Sequence, residues 1–180
     1  MSIIDKALAA ITPLASAEQR AEATGNARAE TRPGDWLSLA LDHHDLIREA
    51  FAAGSRATNA AERVSARQAL AVVLNGHSLA EELVLYPALA QAGKKAHAAQ
   101  AYIEQTTAKN QMAELENIAA SKPEWKDKWE HIEGAVLTHM YEEESSWFLE
   151  LKEKGENQQR LTARYLEEYT RYVDGPQAVA

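Results

Sequence analysis

The sequence contains no cysteine. That absence removes disulfides, iron–sulfur clusters, thiolate zinc sites and thiol nucleophiles together, so any metal has to be held by imidazole, carboxylate, amide or water. Glycine and proline are sparse, at 8 and 5 in 180 residues, and no stretch alternates apolar with polar residues as a half-buried strand would. Long apolar runs are missing too. Nothing approaches the roughly 18 consecutive apolar residues of a membrane span, and the opening MSIIDK lacks the basic-then-apolar order of a secretory leader. A cytoplasmic protein without membrane contacts is expected. Basic residues are outnumbered 19 to 27, for a net charge of −8, which offers nucleic acid no basic footprint.

What is present is helical periodicity. Hydrophobic residues make up 46% of the chain, enough for one core, and they recur at three- and four-residue steps between a few clear breaks. The breaks fall at Thr31 to Asp35, Gly54, Gly93, Ser121 to Pro123, and Gly155. They predict long helices from Trp36 to about Gly54, Thr58 to Ala90, Lys94 to Ala120 and Glu124 to Lys154, the first capped by Asp35. The expected fold is all-α: an up-down-up-down four-helix bundle over residues 35–154. Residues 1–34 read as an N-terminal helical arm or linker. Within it, an amphipathic piece (Ile3, Ile4, Ala7, Leu8, Ile11) is stopped by Pro13, and residues 16–30 are expected to be weakly anchored. Residues 155–180 read as a C-terminal helix and tail.

Two histidine–glutamate pairs carry the chemistry. His77 and Glu81 stand four residues apart in the apolar stripe of Leu70, Val73, Leu74, Ala80, Val84 and Ala88, and His139 and Glu143 repeat the spacing near Ile132, Val136 and Trp147. Residues four apart are neighbours on a helix surface. With 27 acidic residues in 180, such spacings arise by chance, so the weight lies in register: each histidine falls on a buried stripe. On the first long helix, His43 has apolar residues at every helical contact position, whereas His44 has Arg48 at one. His43 is therefore expected to face inward and His44 to lie at the edge. The inward stripe of the third helix has one polar member, Gln105. His97 and His131 have no acid four residues on and read as ordinary near-surface side chains. Buried His–Glu pairs that only fix helix register are the plain alternative. Three imidazoles and two carboxylates converging at one level leave several buried polar groups to satisfy, and a metal satisfies them together. Imidazole and carboxylate without thiolate suit iron, manganese or zinc.

These residues resemble the hemerythrin-like HHE cation-binding domains over about residues 36–153. The resemblance rests on Leu41-Asp-His43, on Gly76-His-Ser-Leu-Ala-Glu81 with Leu85-Tyr-Pro87, and on His139-Met-Tyr-Glu-Glu143 with Phe148. It implies a di-iron centre, iron in preference to manganese or zinc, with His43 and His77 on one iron, Glu81 and Glu143 bridging, and His139 on the second. The sequence departs from the family on the third helix, where Gln105 and Lys109 stand at positions that usually supply histidines. An amide is a poorer iron ligand than imidazole, so the His139 side is expected to hold its iron more weakly, with Gln105 beside it. The resemblance further implies a small diatomic ligand or peroxide as the partner, bound or sensed by a monomer or homodimer, or a role in iron handling. The alternatives are a peroxidase, catalase-like or oxidase enzyme using nearby Tyr86, Tyr102, Tyr141 or Trp147, and a metal-free interaction bundle.

Overall fold

The computed structural model describes residues 15–175; the amphipathic piece expected at residues 3–11 lies outside them. All regular structure among the described residues is helical. Helix α1 (Ala17–Ala29) opens on a reciprocal cap in which the Ser16 hydroxyl accepts from the Gln19 amide and the Gln19 side chain accepts from the Ser16 amide. Helix α2 (Trp36–Arg56) begins at Asp35, whose carboxylate accepts from the Ser38 amide at 2.8 Å, as the sequence implies. Helix α3 runs as Ala60–Ala80, widens into a π-helical turn at Glu81–Leu85 and continues as Tyr86–Gln91. Helix α4 is Lys95–Glu116. Helix α5 repeats the design of α3, with Pro123–Glu142, a π turn at Glu143–Trp147 and a final Phe148–Lys154. Helix α6 is Gln158–Val173.

The four long helices pack as a ring, α2 against α3 and α5, and α4 against α3 and α5. The flanking helices fill two grooves of that ring. Helix α6 lies along α2 and α3, and α1 lies along α2 and α5. The expected weak anchoring of residues 16–30 is thus corrected: Ala23 and Ala27 are buried, Arg28 is ion-paired with Asp42 and Asp45 of α2, and Thr24 donates to Glu144 of α5. Small side chains let α1 lie close, and the polar contacts fix its rotation.

The apolar core is split into two clusters. One gathers Trp36, Leu37, Leu41, Leu85, Leu89, Phe148 and Tyr165; the other gathers Ile47, Phe51, Leu70, Leu74, Leu115, Trp125, Trp129 and Ile132. On every long helix the boundary between them falls at a polar residue. His44 sits between Leu41 and Ile47, His77 between Leu74 and Ala80, Gln105 between Ala101 and Ala108, and Glu143 between Met140 and Trp147. Such a layer costs free energy unless its groups find partners, while each buried leucine or phenylalanine beside it contributes about 1.5–3 kcal/mol in the opposite direction. The second cluster is tightly closed at Gly54, where an added Cβ would run into the Trp129 ring.

A candidate metal centre between two apolar clusters

Helix α2 contributes His44. Its ring is fully buried in the stripe of Leu37, Ala40, Leu41, Ile47 and Phe51, whereas Leu46, on the His43 side, is 47% exposed. The expected inward role of His43 is therefore corrected. His43 is also buried, but against the added helix α6: its ring stacks on Tyr169 with centroids 3.6 Å apart, and its Nδ1 lies 3.0 Å from the Tyr165 hydroxyl. The apolar neighbours of His43 mark a seam with α6, outside the four-helix ring. Arg48, which placed His44 at an edge in the sequence, instead reaches Glu144 at 2.6 Å and helps to hold that buried carboxylate.

Ligand atoms of His44, His77, Glu81 and Glu143 lie within 4.8 Å of one another, all buried. His77 Nε2 is 3.2 Å from Glu81 Oε2, and His44 Nε2 is 3.3 Å from Glu143 Oε2. His139 stands on the far side of Glu143, its Nε2 3.3 Å from Oε1. Each imidazole has its other nitrogen engaged. Nδ1 of His44 meets Glu144 at 2.6 Å, Nδ1 of His77 meets the Tyr165 hydroxyl at 3.0 Å, and Nδ1 of His139 meets Glu104 at 2.8 Å. His44 and His77 thus present Nε2 to one group of ligand atoms and His139 presents Nε2 to the other side of Glu143, each steered from behind, the arrangement that orients imidazole as a ligand.

The π turns explain which side chains arrive. One extra residue per turn rotates the succeeding residues by about 100° relative to an unbroken α-helix. After Glu81 the buried face accordingly shifts to Leu85, Tyr86 and Leu89, and the expected core residue Ala88 is only partly covered. Tyr86 is carried into the centre. Its hydroxyl lies 2.8 Å from Glu143 Oε1, 3.1 Å from Glu81 Oε2, 3.1 Å from His139 Nε2 and 2.5 Å from Gln105 Nε2. Gln105 also donates to Glu81 Oε2 at 2.5 Å. Lys109 is turned to the flank, where it pairs with Glu82 at 2.6 Å. His97 pairs with Glu150 and His131 is exposed, both away from the centre.

The electrostatics separate the two carboxylates. Burial raises the Glu81 carboxyl well above the usual range, and the neighbouring Glu143 charge adds to this. Burial opposes the charge on Glu143 as well, but His139 and His44 outweigh it and hold that carboxyl low. Burial works against a charged His44, and Glu143 and Glu144 override it, pushing its pKa up to about 9. His139 is likewise raised, by Glu143 and Glu104 against burial. His77 is lowered by burial, with the His44 charge adding to this, and His43 is lowered to about 4 by the same two causes.

Whether these residues fit a cation is tested by what they leave unpaired. His44 Nε2, Glu81 Oε1, Glu143 Oε2 and Gln105 Oε1 are buried without a hydrogen-bond partner. Unpaired buried polar atoms are rare and costly, and three of these four belong to the His44, His77, Glu81 and Glu143 group whose ligand atoms lie within 4.8 Å of one another. The donor set suits a divalent cation. Of the residues singled out in the sequence, the structure brings together His77, Glu81, His139, Glu143 and Gln105. His43 stands behind Tyr165; Tyr86, named in the sequence only as a nearby redox aromatic, reaches the centre, and His44, Glu144 and Tyr165 were not anticipated there. Among the described residues no helix is long and apolar enough to cross a membrane.

A DNA nickase of Nostoc sp. (strain PCC 7120 / SAG 25.82 / UTEX 2576) is 32% identical over 79 residues, covering 44% of this chain and 22% of that protein. The chain thus spans well under two thirds of that relative. No solved structure matches. The model of the hemerythrin HHE cation binding domain matches residues 37–151, from the first turn of α2 to the end of α5, and the chain belongs to that family.

Proposed function

We propose that this chain is a non-haem iron protein with a dinuclear centre, built in an up-down-up-down four-helix bundle, that binds or senses dioxygen, nitric oxide or peroxide, or handles iron. The observation that carries the reading is the group His44, His77, Glu81 and Glu143, four buried side chains whose ligand atoms lie within 4.8 Å of one another and are partly unpaired. His44 and His77 would hold one iron, with His44 in the place that the sequence assigned to His43. Glu81 and Glu143 face both sides of the layer and would bridge, and His139 would hold the second iron beside Gln105 and Tyr86. When bound, iron would supply reversible redox chemistry toward a small ligand. The residues do the rest: Glu144, Tyr165 and Glu104 orient the rings, Tyr86 offers a hydroxyl proton at the centre, and the two apolar clusters keep bulk water out. The amide at residue 105 favours weaker retention on the His139 side. A monomer or homodimer in the cytoplasm is the setting we assign, and the net charge of −8 gives no support to a nucleic-acid substrate.

The second reading, an enzyme of peroxidase, catalase-like or oxidase type, is favoured by one observation: two buried phenols, Tyr86 and Tyr165, touch candidate ligands directly. Metal analysis of protein purified from iron-rich medium tests both, followed by anaerobic ferrous titration and optical spectra on addition of dioxygen, nitric oxide or peroxide. Iron at one to two per chain with ligand-dependent spectra supports the first reading, and multiple turnovers of peroxide support the second. Absence of iron, manganese and zinc overturns both.

A further inference from the structure

The family match ends at residue 151, yet helix α6, which begins at Gln158, reaches the centre. Its Tyr165 is fully buried, with the hydroxyl 3.0 Å from Nδ1 of His77 and 3.0 Å from Nδ1 of His43. The close approach is built into α3. Gly76 precedes His77, and a Cβ there would stand 3.0 Å from Val173 Cγ2 and 3.3 Å from Tyr169 Cε2, so the bare backbone seats α6 without displacement. The upper end of α6 is pinned to α2, where the Trp36 indole donates to Gln158 and the Trp36 amide donates to the Thr162 hydroxyl.

A phenol hydroxyl has one proton to donate and lone pairs to accept. Set between two Nδ1 atoms at equal distance, the Tyr165 hydroxyl accepts from one ring and donates to the other. The direction is decided at His77. Its Nε2 faces the centre, and a neutral imidazole that gives its Nε2 lone pair to a cation carries its proton on Nδ1. His77 Nδ1–H therefore donates to Tyr165, and Tyr165 O–H donates to His43 Nδ1. His43 in turn is held face to face by Tyr169, with 17° between the rings.

We propose that Tyr165 is a positioning residue of the centre: a one-way hydrogen-bond chain from His77 through Tyr165 to His43 fixes the tautomer and orientation of His77 as a cation ligand, with His43 as terminal acceptor and not as ligand. This makes α6, outside the matched domain, a working part of the site. The assignment rests on the cation-binding reading above.

The test uses the full chain with zinc as a diamagnetic probe, uptake being measured first. In zinc-loaded wild type, NMR should show a slowly exchanging His77 Nδ1–H proton in contact with the Tyr165 hydroxyl. Tyr165→Phe keeps the ring and removes the hydroxyl; zinc affinity should fall about 10–100-fold, the range for losing such a support, and the protected signal should vanish. Tyr169→Phe, which keeps its stack on His43, should change neither readout. Unchanged affinity in Tyr165→Phe overturns the proposal. So does a wild-type His77 Nδ1–H without the Tyr165 contact, a measurement that stands even where the variant fails to fold. Wild type that takes up neither zinc nor iron overturns the cation reading itself, a result distinct from the other two.

Discussion

His44 Nε2 and Glu143 Oε2 face each other at 3.3 Å, both fully buried, without a hydrogen bond between them. Joined only through a proton on His44, these two atoms become available to a cation once that proton leaves. His44→Ala should therefore reduce iron retention by more than the roughly 10–100-fold typical of outer supports, and His77→Ala should do the same. His43→Gln, which alters only an outer support, should cost no more than that range, and His97→Ala and His131→Ala should leave the iron in place. Metal content after dialysis against a mild chelator checks all five, and loss in His43→Gln with retention in His44→Ala would reverse the assignment.

The same pair predicts a pH response for metal-free protein. The folded pKa of His44 is pushed up to about 9 from an ordinary 6.5, so its ion-paired proton stabilises fully below pH 6.5 and the contribution is lost as pH rises through 9. The loss is of order 3 kcal/mol. Urea unfolding of chelator-treated wild type and His44→Ala at pH 6.5 and 9.5 separates it from the parallel contribution of His139. Metal affinity should run the other way and strengthen as pH rises over this window, because the cation displaces the His44 proton.

Gln105 donates to Glu81 and to Tyr86, at the position where the sequence resemblance leads one to expect an imidazole. Wild type should hold one iron tightly and release the second under mild chelation. Gln105→His should raise retained iron toward two per chain. Anaerobic ferrous titration of the two proteins decides it, and two equally tight irons in wild type would remove Gln105 from this role.

A control on packing lies far from the centre. Gly54 has no room for a methyl group against the buried Trp129 ring, so Gly54→Ala should cost about 1–3 kcal/mol. Urea denaturation should register the loss while metal stoichiometry stays the same.

The helices themselves were legible because apolar residues repeat at helical spacing between Gly and Pro breaks, and Asp35 caps where the sequence places it. His77, Glu81, His139, Glu143 and Gln105 were legible for the same reason, since each lies on its own helix's buried stripe. His43 misled because a stripe records burial without naming the partner: its apolar neighbours meet α6, while His44 meets the ring's interior. Tyr86 and Glu144 were hidden by geometry. Tyr86 lies nine residues beyond His77, the opposite face of a straight α-helix, and Glu144 lies one position past the inward Glu143. The π turn after Glu81 brings Tyr86 round, and an extra residue in a turn leaves no composition signal; Glu144 is instead held by Thr24 of α1 and by His44 and Arg48 of α2. Tyr165 could have been suspected from its stripe with Leu161 and Tyr169, but nothing in the sequence indicates which groove that stripe fills.

The two flanking helices bear on time as well as affinity. Helix α6 stands over His77 and α1 braces Glu144 behind His44, so a cation between these rings is walled in by elements at both ends of the described chain. Departure past α1 or α6 would require local opening of that helix, an event whose frequency is set by how well that segment is docked. If the ion leaves by that route, a change confined to the α1 or α6 seam should alter how fast it exchanges while the ligands stay untouched.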